Sequence, residues 1–175
     1  IYFSPTLCEG CPHLASLFDI AVAEHPNGVR EPVMVMEWAD APHNTLRAWM
    51  KQYRGPSDAD LPERLSLAIQ MFSGLIHLHY GGRQRRNDTP LFVHQDIKPA
   101  NMLLFGPTPS RLALTDFGLS VVYNRRHKKA SHGEGTRPYM APEQWLALPA
   151  QGPSRDMWAA AMILSELFGG PTTRK

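Results

Sequence analysis

The apolar positions of this chain fall into blocks whose spacing changes along its length. HLASLFDIAVA (13–23) is apolar enough for one strand, and EHPNGVRE (24–31) carries Pro-Asn-Gly turn chemistry. PVMVMEWA (32–39) is apolar on both faces, which predicts a buried second strand antiparallel to the first. The spacing then turns helical. Leu46, Trp49, Met50 and Tyr53 share one face of a short helix that Asn44 or Thr45 can cap. After the loop GPSDAD, Asp60 and Pro62 predict the start of a longer helix. Leu65, Ile69, Phe72, Ile76 and His79 repeat along it, while Leu67, Ala68, Met71 and Leu75 fill other faces, so deep burial is expected. Gly81-Gly82 ends it.

RQRRNDTP (83–90) reads as an exposed basic loop, and as an insertion. Phe92-Val93 and Met102 to Phe105 are short β segments, GPTPS (106–110) is a turn, and RLALT (111–115) is another strand. A long loop runs from Leu119 to about Met140 and contains RRHKK. A last helix is predicted after a Ser154 cap, through MWAAAMILSELF, with a stop at Gly169-Gly170-Pro171. No repeat is visible at periods of about 20 to 50 residues.

Composition narrows the classes. The 175 residues suffice for one domain with a core, and 43% hydrophobic with 19% charged residues is an ordinary globular balance. A net charge of +2 implies no general attraction to nucleic acid or membrane. The apolar run at Met157 to Leu164 falls short of the about 20 residues a membrane span needs, so no membrane segment is expected. IYFSPTLCEG lacks the basic and apolar regions of a signal peptide. It also lacks an initiator Met, and the chain stops at PTTRK directly after a helical pattern, so a piece of a longer protein is expected. Cys8 and Cys11 form CEGC. A structural zinc needs four ligands and only His13 is near, while a redox pair should open a helix and Pro12 stands here instead. They read as ordinary thiols of a reducing, cytoplasmic compartment.

The densest chemistry is in VHQDIKPANMLLF (93–105), where a carboxylate (Asp96), an ammonium (Lys98) and an amide oxygen (Asn101) lie close together. A lone aspartate of this kind is usually a turn residue. Here, however, HQDIKPAN (94–101) is followed by DFG (116–118), GTRPYMAPE (135–143) and RDMWAAAMIL (155–164). In this order and spacing the four motifs resemble a eukaryotic-type protein kinase catalytic domain of the serine/threonine branch. The resemblance implies an α+β, two-lobe fold that is truncated here. Residues 1–39 would be small-lobe strands and hinge, a partial sheet, and 40–175 part of a mainly helical large lobe.

The resemblance also implies chemistry. The γ-phosphate of ATP would pass to serine or threonine hydroxyls of protein substrates, with Mg²⁺. Asp96 would be the base or orienting group, Lys98 would meet the γ-phosphate, and Asn101 and Asp116 would be the metal ligands. Met36 would be the gatekeeper, Glu37 and Ala39 would supply backbone groups to adenine, Leu103 would floor the ring and Asp40 would approach the ribose. Thr136 would bond the catalytic aspartate and lysine, and Ser131 and Thr136 would be phosphosites of the activation segment. His94, Phe117 and Leu17 resemble spine residues. Asp156 resembles the buried aspartate that holds the catalytic-loop backbone at His94 and Gln95.

There are departures. Position 95 is Gln where the common pattern has an arginine that binds an activation-segment phosphate, so control by such a phosphate is not expected through this residue. The basic Arg125, Arg126, Lys128 and Lys129 stay open as another phosphate partner. The glycine-rich loop and the third-strand lysine do not occur in the 175 residues. A pseudokinase or ATP-binding scaffold without transfer is therefore the alternative reading, and a gene-model fragment without its own function the second.

Overall fold

The computed structural model describes residues 10–40, 44–52, 60–81, 91–106, 110–123, 135–146, 148 and 152–170. The architecture is α+β: short antiparallel pairs of strands set against two long helices.

Strands β1 (Leu17–Glu24) and β2 (Arg30–Met36) form the expected antiparallel ribbon, in register from Leu17 opposite Met36 to Glu24 opposite Arg30. The expected burial of β2 on both faces is not observed. Phe18, Ile20, Val22, Met34 and Val35 are all more than 40% exposed, because no described element is layered on either face of the ribbon. Apolar composition reports what a strand could bury, not what lies over it.

Helix α1 (Leu46–Gln52) buries Leu46 and Trp49. Of its two candidate caps the structure uses Thr45, whose Oγ1 accepts the Ala48 N–H at 3.2 Å. Tyr53 lies outside the described residues. Helix α2 (Leu61–Tyr80) has Pro62 in its first turn, and Gly81 in the left-handed conformation closes it with a bond to the His77 carbonyl. Asp60 precedes the helix without capping it and sits 3.8 Å from Arg64. The deep burial expected on several faces is found on one side only. Leu67, Met71, Leu75 and Leu78 line the core, whereas Leu65, Ile69 and Ile76 are exposed. Gly74 explains the choice: a Cβ there would stand 2.7 Å from the His13 carbonyl oxygen. Only the face carrying Gly74 lets the chain at His13 approach so closely.

Strands β4 (Met102–Phe105) and β5 (Arg111–Leu114) pair antiparallel beneath α2, and Gln70 Oε1 accepts the Leu112 N–H. Strand β3 (Leu91–Val93) pairs with β6 (Val121–Tyr123), a strand hidden in what the sequence shows as loop. A single turn, α3 (Pro142–Trp145), was likewise not foreseen. Helix α4 (Ser154–Leu167) starts with Ser154 as its first helical residue, Pro153 taking the N-cap position. Leu14, Trp49, Met71, Leu78, Met102, Leu112, Ile163 and Leu167 join these elements in one core. Among the described residues no helix is long and apolar enough to cross a membrane.

Candidate active site

The segment between β3 and β4 makes no strand. It is pinned from below by Asp156, near the start of α4 and 1% exposed. Asp156 accepts the backbone N–H of His94 at 2.8 Å and of Gln95 at 2.9 Å. It also accepts His79 Nε2 at 2.8 Å, a partner on α2 that the sequence did not reveal. The need for several donors around a buried carboxylate was the available signal. Asp156→Ala should leave a histidine and two backbone donors buried and unpartnered. We expect a loss of about 3–5 kcal/mol, read from the denaturant midpoint of the intact protein. A loss below about 1 kcal/mol would contradict this accounting.

His94 carries the order upward. Its Nε2 faces the Thr115 carbonyl at 2.9 Å and so bears the proton, which leaves Nδ1 to accept the Asp96 N–H at 3.3 Å. The ring also packs on Phe117, with centroids 5.0 Å apart. Thr115 N–H donates to the Asn101 carbonyl at 3.0 Å. The residue before Asp116 is thus held by both His94 and Asn101. Asp116 itself is exposed, in the left-handed region at φ 62°.

Above this base the polar side chains close on one another. Lys98 Nζ donates to Asp96 Oδ2 at 2.6 Å and to Thr136 Oγ1 at 3.0 Å. Thr136 donates onward to Asp96 Oδ1 at 2.7 Å. Asn101 Nδ2 donates to the Asp96 carbonyl at 3.0 Å and to its Oδ2 at 3.2 Å. Those bonds use the NH₂ of the Asn101 amide and not its Oδ1. Burial pushes the Asp96 carboxyl up, but the hydrogen bonds and charge of Lys98 and the hydrogen bonds from Thr136 outweigh it. The group ends below its ordinary value.

The remaining sequence candidates lie elsewhere. Met36 ends β2 half-buried, Ala39 is buried, Asp40 is exposed and Leu103 is half-buried on β4. Glu37 N–H is taken by the Ser16 carbonyl at 2.9 Å, so its carbonyl is the backbone group left to face a ligand. The Glu37 carboxylate pairs with Arg111 of β5, another residue the sequence did not single out; this ties the end of the ribbon to the β4–β5 hairpin. Ser131 and the basic run at Arg125 to Lys129 lie outside the described residues, as does Cys8. Cys11 is a buried free thiol. Among the described residues no group of three His, Cys, Asp or Glu side chains could hold a metal.

Comparison with known proteins agrees with this layout. The protein kinase domain family matches residues 11–174. A cell division control protein 2 homolog D of Antirrhinum majus is 29% identical over 157 residues, covering 89% of this chain and 46% of that protein. The interferon-induced, double-stranded RNA-activated protein kinase of Mus musculus is 33% identical over 133 residues, covering 76% of this chain and 23% of its own length. Serine/threonine-protein kinase tousled-like 1 of Caenorhabditis elegans is 30% identical over 138 residues, 74% of this chain and 13% of its own. The chain therefore spans less than half the length of each of these relatives. With its motifs, its fold and a match across almost its full length, this chain belongs to the protein kinase domain family.

Proposed function

We propose that the protein carrying this chain transfers the γ-phosphate of ATP to serine or threonine hydroxyls of proteins, with Mg²⁺. The observation that carries this reading is the closed set of Asp96, Lys98, Thr136 and Asn101. Asp96 stays ionised and would orient the acceptor hydroxyl and take its proton late, while Lys98 lies beside it to balance charge on a transferring phosphoryl group. Mg²⁺, when bound, would supply positive charge to offset that of the phosphate. One amide oxygen (Asn101) and one exposed carboxylate (Asp116) fit such an ion, which needs few protein ligands beside phosphate. The Glu37 carbonyl and Ala39 N–H would meet the adenine edge. The serine/threonine preference rests on the Lys98 and Thr136 spelling and on the named class of the tousled-like relative. An intracellular, cytoplasmic or nuclear, location is proposed from Cys8 and Cys11 read as ordinary thiols. The test is transfer of labelled phosphate from ATP to casein by the intact protein, followed by phosphoamino-acid analysis. Nucleotide binding without transfer would favour the scaffold alternative.

The state of Asp96 has a measurable consequence. Because its value in the folded chain lies below the ordinary 3.8, its stabilising contribution is complete above 3.8 and fades as pH falls through the lower folded value. The carboxylate is therefore ionised wherever such an enzyme works. Thr136→Val removes one of the bonds that oppose burial. The acid limb of kcat/KM should then move to higher pH, and a pH profile of both proteins checks the direction.

A further inference from the structure

Arg155 opens the way to Asp156 on α4, is 2% exposed, and has no part in the chemistry above. Its Nη1 donates to Gln95 Oε1. Gln95 in turn donates from Nε2 to the Leu119 carbonyl at 2.6 Å, three residues after Asp116. The backbone of Gln95 is held too: its N–H goes to Asp156, and its φ of 70° is rare for a side chain of this size. Such a conformation persists only where the surroundings over-determine it. Its carbonyl oxygen lies 2.9 Å from where a Cβ on Gly135 would stand. Gln95 thus touches the chain just after Asp116 and again just before Thr136.

The chemistry of the three groups sets their roles. A guanidinium only donates and a carbonyl only accepts. A glutamine between them has one productive orientation, oxygen toward Arg155 and NH₂ toward Leu119. Arg155 therefore decides which way the Gln95 amide points. We infer that Arg155 is a positioning residue for phosphoryl transfer: by orienting Gln95 it holds Leu119, and through that short tether Asp116, against the catalytic loop. This inference rests on the proposed kinase reading. It also suits the departure at position 95. The cation beneath the catalytic loop comes from α4 and is held by an uncharged amide, so no phosphate is needed to recruit it.

The test uses the intact protein after phosphatase treatment, with ATP, Mg²⁺ and casein, and follows amide hydrogen exchange in a peptide covering 117–123. Arg155→Met keeps volume and loses the donor. Gln95→Glu keeps an acceptor for Arg155 but cannot donate to Leu119. Both should lower kcat by about tenfold or more with the KM for ATP within about threefold, and both should speed exchange in 117–123. Gln95→Glu should do so without lowering the melting temperature, since it gains an ion pair, which a merely structural role would not allow. Arg155→Lys, which still donates, should stay within about threefold of wild type. Unchanged exchange in Arg155→Met, or Arg155→Lys as impaired as Arg155→Met, would overturn the inference. If the wild-type protein transfers no phosphate, the functional proposal falls, and the exchange comparison still decides whether Arg155 tethers Leu119.

Discussion

Asp116→Asn in the intact protein should lower Mg²⁺-dependent phosphoryl transfer by at least about 10²- to 10³-fold and weaken ATP binding with it. The choice of Asn matters. Asp116 sits at φ 62°, where Asp and Asn are tolerated and Ala is strained, so the substitution removes charge while keeping the backbone state. Its neighbours also stay in place, because Thr115 is bonded to Asn101 and His94 through backbone groups that the change does not touch. What goes is the one carboxylate proposed to face the ion, and a neutral amide is a weaker ligand for a hard cation. Titrating ATP affinity against Mg²⁺ and measuring transfer to casein gives the two readouts. Equal Mg²⁺ dependence in mutant and wild type would remove Asp116 from the metal site.

Asp96→Asn should do something different: transfer down by about 10² to 10⁴, ATP affinity within about threefold. Asp96 accepts four hydrogen bonds through its carboxylate and carbonyl, all from the side chains of Lys98, Thr136 and Asn101. Asn at this position keeps one side-chain acceptor and places an NH₂ where Lys98 or Thr136 now donates. The group that would receive the acceptor hydroxyl's proton is gone, but none of the groups proposed to hold nucleotide is altered. A parallel fall in transfer and ATP affinity would instead mark Asp96 as an organiser of the loop. Comparing the two variants on one preparation separates metal binding from chemistry, because the first should move both quantities and the second only one.

Much of this was legible because it is local. HQDIKPAN places Asp96, Lys98 and Asn101 within six residues, and no distant contact is needed to bring them together. The helices at 46–52, 61–80 and 154–167 follow from spacing, caps and stops within a few residues of where the structure has them. The family's fold class followed from the order of the motifs. Helix α2 shows where local information ends. It is apolar on more than one side, so period alone could not choose between the Leu65–Ile69–Ile76 stripe and the Leu67–Met71–Leu75–Leu78 stripe. The close approach of His13 to Gly74, 61 positions away, made the choice. The ribbon at 17–36 has the composition of buried strands and no layer over it among the described residues.

Strand β6 needed its partner β3 to exist at all, since three residues make no strand alone. The sequence by itself determined which residues could do chemistry and which stretches would coil or extend, because both depend on residue type and neighbours. The motif resemblance also anticipated that Thr136 closes on Asp96 from 40 residues away, but only the tertiary structure decided that His79 reaches Asp156 across 77 and that Arg155 meets Gln95 across 60. Those pairings satisfy buried donors and acceptors, and which distant donor meets which acceptor is settled only when the elements pack.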